Sequence, residues 1–524
     1  MAGLSFSDQL KARMDVAEWP HVCPRQIYLL IPVVFLLAVF VYRAVFHPLA
    51  RIPGPTLAAV TGNWRNYHYF AGTWHKDILD LHRRYGRVVR IAPNEVSVVD
   101  AAALKQLYGH GTSAIKTSWY DVWTIPGAGP AFFAVTNPHL HGKLRKRVSA
   151  AYSMSAILRY EQYIQSCLDL CMWKFKTFAD EGRVEDLAEW LTALAFDIVG
   201  EIAYGKKFGH LKTGKDVFNM RGSIAKAFYL MANSGHFWGQ LFPINNSLIQ
   251  SMATMLGGKN PLVEMQRYAE GRVNARKQGK DEVGREDMLA HFVRMKSLDG
   301  TGLADQGEVL VEAMNIIGAG ADTTSVGMSA CLYYLGMHPD AYNRLQADVN
   351  KFYESENLSA PITYHQTQQI PFLKAVVMES LRLFPSIMYQ LLRISPGIVI
   401  DKKYIPAGYD IGISPMAQNR DQAVYGPDAN EFRPERWLQS DEIVATYERY
   451  NMTFGGNGPR TCVGKNIALV EIHKLVAQLL YNFDFELVDK EHPWHVFTFW
   501  FAHTSKMNVR LSVRPGRKIE QPSD

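Results

Sequence analysis

From about residue 75 onward, apolar positions recur three and four apart through most of the chain. DAYNRLQADVNKFY and GRVEDLAEWLTALAFDIVGEIAYG show the spacing, which is that of helices burying one face. Three stretches break this rhythm with strand-like texture: Arg87 to Asp100, GIVI followed by KYIPAGYDIGIS, and MNVRLSV near the end. The pattern predicts a mainly α body with small, segregated β-sheets, an α+β arrangement of helical bias. A third texture lies near the start. IYLLIPVVFLLAVFVY, Ile27 to Tyr42, is uncharged and apolar all round, and it extends to Phe46 if Arg43 snorkels. At ~1.5 Å per residue, residues 27–46 reach roughly 30 Å, enough to span a bilayer. The expected organisation is therefore a tail over 1–26, a transmembrane anchor over 27–46, a stiff hinge over 47–60 and one globular domain over 61–524. Pro48, Pro53 and Pro55 make the hinge stiff and non-helical.

Composition narrows the class without naming it. The chain has 524 residues and is 48% hydrophobic, enough for a large core, and no linker, repeat or like-charge block divides it. A formal charge of +6 is mild at this length, and no basic tract or nucleic-acid module is present, so nucleic acid is not an expected partner. Cys23, Cys167, Cys171, Cys331 and Cys462 form no paired framework and read as reduced thiols in a body facing the cytosol. Lysine and arginine are about equally frequent on the two sides of the apolar run, which leaves its orientation open. Asn245, Asn357 and Asn451 each head an Asn-x-Ser/Thr sequon and stay bare if the body is cytosolic.

The chemistry concentrates at TFGGNGPRTCVGKN, residues 453–466, where a glycine-rich loop presents one thiol just before the helical run KNIALVEIHKLVAQLL. A metal-binding thiolate needs its charge stabilised without being neutralised, and the N–H groups of a helix start supply that. Gly458 and Gly464 flank Cys462 where a missing β-carbon permits close backbone approach to the sulfur and a flat macrocycle. Arg460 is placed to meet an acidic edge of such a cofactor. In VVMESLRLFP, Glu379 and Arg382 share a helix face within an apolar sequence, where buried charges need partners; Arg436 in FRPERW offers a third charge. NIIGAGADTTSVGMSACLYYL places Gly318 and Gly320 inside a helix, at a cost of ~1 kcal/mol each relative to alanine. Close helix crossing is one reason for them; room for a flat cofactor and a diatomic ligand is the other.

Together these segments resemble the cytochromes P-450. GNGPRTCVGKNIA is similar to the family's haem signature, Phe-x-x-Gly-x-Arg-x-Cys-x-Gly, except that Gly455 occupies the aromatic position and Phe454 lies one residue upstream. The resemblance implies haem b as cofactor, Cys462 as the axial iron ligand, and Phe454, Gly458, Arg460 and Gly464 around it. It implies that Glu379, Arg382 and Arg436 form a structural triad locking the cysteine loop. Ala319, Gly320, Asp322 and Thr323 match the family's Ala-Gly-x-Asp-Thr motif, in which Thr323 hydrogen-bonds dioxygen and Asp322 relays protons. HGKLRKR and QLLRISP imply that His141, Arg145 and Arg393 address the haem propionates. Connecting stretches such as YGRVVRIAPNEVSVVD look like the fungal pisatin-demethylase-like branch, whose members tailor secondary metabolites.

The implied activity is that of a membrane-anchored monooxygenase acting with dioxygen on a lipophilic small molecule. The pocket is expected in KTSWYDVWTIPGAGP, AFYLMANSGHFWGQLFP, the helix around Ala319, Ile387 to Leu391 and FTFWF. No flavin or nicotinamide module is found, so electrons are expected from NADPH through a separate cytochrome P-450 reductase on the same, endoplasmic reticulum, membrane. Lys143, Lys146 and Lys465 are candidates for docking it. Two other functions fit the same haem: isomerisation, dehydration or oxidative coupling, and a non-catalytic haem sensor, in which Asp322 and Thr323 would have no purpose.

Overall fold

The computed structural model describes residues 24–124, 129–237, 263–280, 284–358 and 361–522, with isolated positions between 239 and 255; side-chain surroundings are described from residue 31. Cys23 and Asn245 lie outside these residues, as do Ile125–Ala128 and much of the segment after Phe237. The body is mainly helical. Six helices position the site: α1, Pro138–Val148; α2, Leu187–Tyr204; α3, Met220–Ser234; α4, Gln306–Met337; α5, Pro371–Leu383; and α6, Lys465–Asn482.

Helix α4 is the axis of the molecule. Asp305 accepts from the Glu308 amide at 2.8 Å while Glu308 accepts from the Asp305 amide at 3.1 Å, a capping box that fixes its start. Its 32 residues run about 48 Å at 1.5 Å per residue. Pro339 opens the next helix directly after the cap residue His338. Gly318 and Gly320 are explained by packing: a β-carbon at the first would lie 2.9 Å from the Phe228 ring, and at the second 3.0 Å from a Val199 methyl. Close crossing with α2 is thus a reason for Gly320, whereas Gly318 makes room for a ring from α3.

The strands are segregated as expected. Val88–Ala92 and Glu95–Val98 form a hairpin whose second strand runs parallel to Asp410–Gly412, and Arg393–Ile394 pairs with the far edge. Asn508–Val513 is flanked by Val184–Asp186 and Phe483–Leu487. The FTFWF stretch, expected only as pocket wall, lies in a hairpin, His495–Phe499 against Phe501–Ser505.

Near the start, Pro24–Val41 is helical and one π-helical turn follows over Tyr42–Phe46. Among the described residues no helix is long and apolar enough to cross a membrane. Arg43 donates to the Val60 carbonyl, and its own carbonyl accepts from Arg90, so this end of the run is tied to the body. Leu49 and Ile52 are buried, Thr56–Val60 is a short helix, and the Pro53 carbonyl accepts from the Arg90 amide. The proline segment is thus docked on the first sheet.

Candidate haem site

The cysteine loop is built on two successive left-handed glycines, Gly455 at φ 81° and Gly456 at φ 78°. This conformation is one that residues with a β-carbon avoid. The turn brings Phe454 back so that its carbonyl accepts from the Cys462 amide at 2.9 Å. Gly455 stands in the expected aromatic position because the turn demands its φ; a β-carbon there would clash with nothing. Phe454 remains beside the loop, its ring 5.6 Å from the Lys465 ammonium. Gly458 serves a different contact from the one expected: its β-carbon would fall within 1.7 Å of the Tyr108 carbonyl oxygen, so its close approach is to protein backbone. Helix α6 follows Gly464 without a side-chain cap, and the Gly464 and Lys465 amides turn to the Cys462 sulfur instead.

Cys462 keeps exposed surface although it lies deep among protein atoms, as a group at the floor of a recess does. Burial pushes the thiol pKa up, against the Gly464 and Lys465 amides and the charges of Arg145 and Lys465, which favour the thiolate. On α4 the exposed surface is confined to a few residues. Between the half-buried Gly318 and Gly320, Ala319 is exposed; Thr323, one turn on, is half-buried, its hydroxyl donating to the Ala319 carbonyl at 2.7 Å. Asp322 turns away, buried, and its pKa is raised to about 7 by burial, opposed by Arg221 and reinforced by Asp216 and Glu189.

A cluster of cations converges beside this recess. Asn137 caps α1 by accepting from the His139 and Leu140 amides, which sets His141 and Arg145 one turn apart on one face. Arg393 comes from the edge strand and bridges to Lys116. Arg460 donates to the Val135 and Thr136 carbonyls at 2.8 and 3.0 Å. Burial, then Arg460, Lys116, Arg145 and Arg393, lowers the His141 pKa to about 3, so the imidazole is neutral. Arg460 is lowered to about 10 by burial and by Arg393. Among the described residues none of Lys116, Arg145, Arg393 and Arg460 forms an ion pair with a carboxylate. Such a cluster suits a dianionic edge, and the two propionates of haem b are one; with the open thiol and the Ala319 gap, the residues fit that group. Lys116 was missed from sequence, where a lone lysine in a loop carries no signal.

Behind the loop lies a network with every charge partnered. Glu379, Arg382 and Arg436 are fully buried. Arg382 grips both Glu379 oxygens at 2.7 and 2.8 Å, Arg436 Nε reaches Glu379 at 3.3 Å and Asp428 adds a fourth charge at 3.2 Å. Trp437 Nε1 donates to Glu379 at 2.9 Å. Asn419, also missed from sequence, joins this network to the cysteine loop. Its amide donates to the Arg382 carbonyl and to the Thr453 hydroxyl, and its oxygen accepts from the Met452 amide at 2.7 Å.

This fold and thiolate site define a haem-protein class, and the comparisons agree: residues 52–510 match the Cytochrome P450 profile, and the chain belongs to that family. It is 33% identical over 495 residues to cytochrome P450 monooxygenase gsfF of Penicillium aethiopicum, covering 92% of this chain and 96% of the relative. It is 32% identical to pisatin demethylase of Fusarium vanettenii, covering 98% of each. Cytochrome P450 monooxygenase cicH of Emericella nidulans is 33% identical over 92% of this chain and 97% of its own. The protein is an oxidoreductase of the monooxygenase type, in the fungal branch indicated by its connecting segments.

Proposed function

We propose that the chain is a membrane-anchored monooxygenase that hydroxylates or epoxidises a lipophilic intermediate of fungal secondary metabolism. One oxygen atom of dioxygen enters the substrate and the other leaves as water, with electrons from NADPH delivered by a separate reductase. The carrying observation is the accessible Cys462 inside the body, facing a recess edged by unpaired cations. Haem b supplies the oxygen activation itself. The chain contributes Cys462 as thiolate ligand, with the Gly464 and Lys465 amides turned to the sulfur. Arg145, Arg393 and Arg460 orient the propionates, and neutral His141 adds a donor. Thr323 holds a hydroxyl proton at the Ala319 gap, and Asp322, near neutrality in pKa, exchanges protons behind it.

The anchor is supported by the outward-facing side chains of Ile31, Val33, Val34, Phe35, Leu36 and Leu37. An endoplasmic reticulum membrane with the body in the cytosol accords with the scattered cysteines, unpaired among the described residues. Lys143 and Lys146 are exposed on α1 and offer charge to an acidic reductase surface. The test is the reduced protein under carbon monoxide: a thiolate-type red displacement of the main band is expected, and Cys462→Ser should abolish it. A folded wild-type protein that takes up haem without that displacement would overturn the reading.

A further inference from the structure

Of three tryptophans gathered beside the recess, one is satisfied and two are not. Trp119 Nε1 donates to the Ala232 carbonyl at 2.9 Å, whereas the buried Nε1 groups of Trp123 and Trp500 have no partner. Both side chains are more than nine-tenths buried, at 7% and 9% exposure, and their rings lie 4.8 Å apart. Phe133 closes on both, at 6.0 Å from Trp123 and 5.4 Å from Trp500, and Phe228 meets Trp123 edge-on at 5.1 Å. The walls are aromatic; the two indole N–H groups are the polar feature. A buried donor left unmade is costly, and proteins rarely keep two together without a use.

The cage lies between the two sides of the candidate haem site. Phe228 is the ring that a β-carbon on Gly318 would strike, next to the exposed Ala319. Phe133 and Tyr120 flank the Lys116 ammonium at 4.5 and 3.9 Å, next to Arg393 in the cation cluster. Trp500 is held there against its backbone preference. It is the single residue between the paired Phe499 and Phe501 and has φ 82°, and its carbonyl is clamped by the Met388 and Tyr389 amides at 2.7 and 3.3 Å. A large side chain in that conformation is unusual and needs a reason.

We propose that this cage seats a flat aromatic substrate whose carbonyl or ether oxygen accepts hydrogen bonds from Trp123 Nε1 and Trp500 Nε1. The proposal rests on the monooxygenase reading and specifies its substrate class. Ring faces and edges favour stacking with another π system. A carbonyl oxygen has two lone pairs and asks only for donors. Water is a poorer occupant, because it also needs acceptors that two N–H groups and four rings do not offer. A cationic ligand would lose its hydration beside Lys116, with no carboxylate among the four cage residues.

The test uses purified holoenzyme and matched probes: 2-acetylnaphthalene against 2-isopropenylnaphthalene, and anthrone against 9,10-dihydroanthracene. Binding is read from perturbation of the ferric haem band and from indole fluorescence. The ketones should bind about tenfold more tightly than their hydrocarbon partners, the worth of one to two net hydrogen bonds. Trp123→Phe and Trp500→Phe keep an aromatic wall and remove the donor. Each should cut the ketone preference about threefold and the double variant should erase it, with hydrocarbon affinity changed by less than about twofold. Equal binding of the pairs by wild type, no response to the ketones, or a preference surviving the double variant overturns the proposal. If Trp500→Phe fails to retain haem, an undiminished preference in Trp123→Phe overturns it alone. The reduced carbon monoxide spectrum of the same samples separates the two readings: red-displaced with no ketone preference, only the cage assignment falls; without displacement, the haem-thiolate reading falls as well.

Discussion

The Glu379 network and the Arg460 cluster are both rich in buried arginine, yet they treat charge in opposite ways. Around Glu379 each guanidinium meets a carboxylate or a row of carbonyls, and Arg382 alone donates to Glu379 and to the carbonyls of Asn419 and Ala429. Around Arg460, burial and then neighbouring cations lower the Arg460 and His141 pKa values, and the hydrogen bonds go to backbone carbonyls or a tyrosine hydroxyl. The first region is electrostatically complete within the chain. The second holds no carboxylate partner among the described residues and would be completed by a dianion from outside the chain. Stability should therefore reside in the first and cofactor retention in the second.

The sharpest way to break that division is Arg382→Ala. Removing one partner leaves Glu379 buried and short of charge, at a cost of about 3–5 kcal/mol. Thermal unfolding should show it whether or not haem is bound, and haem retention should collapse with it. An unchanged melting temperature would mean that the network is not a stabilising unit.

Asp322 gives the next effect, and its sign is fixed. A carboxyl held near pKa 7 in the folded chain and near ~4 when unfolded binds more protons in the native state. Its contribution is most favourable below pH ~4, declines as pH rises toward 7, and is level above. Asp322→Asn should remove a decline on the order of 4 kcal/mol, flattening urea-derived stability between those limits. The same variant should slow turnover relative to haem reduction if the carboxyl moves protons. Asn419→Ala should cost less, about 1–3 kcal/mol for the unmet Met452 amide and Arg382 carbonyl. Because Asn419 couples the complete region to the cysteine loop, haem loss should accelerate more than this stability change implies; proportionate effects would deny it that role.

The difference between the two regions also explains what the sequence made legible. Glu379 and Arg382 could be read because helical spacing places them on one face, and Cys462 because glycines and an arginine crowd a single thiol. Long strongly periodic helices and the three alternating stretches were recovered for the same reason: local spacing encodes them. Asn419 and Lys116 were not legible, since each acquires its meaning from segments distant in the chain. Asn419 meets Thr453 and Arg382; Lys116 meets Phe133 and Arg393. Gly318 and Gly320 carried two meanings in sequence, and the packing one rests on Phe228 and Val199, both distant in the chain. Gly455 looked like a missing aromatic; its φ of 81° shows a turn requirement that no spacing rule contains.

The smallest stability effect should come from Arg460→Met, and its smallness is the point. The variant removes a charge that burial and Arg393 already disfavour, while giving up two hydrogen bonds to the Val135 and Thr136 carbonyls. These terms oppose, so the haem-free protein should unfold within about 1 kcal/mol of wild type. Haem should nonetheless leave about tenfold faster, because one charge-assisted bond to a propionate is gone. Transfer to apomyoglobin measures that rate directly. Equal losses with and without haem would make Arg460 an ordinary structural arginine and erase the contrast with Arg382. A haem-specific loss would show that this cluster is folded around a charge the chain does not itself possess.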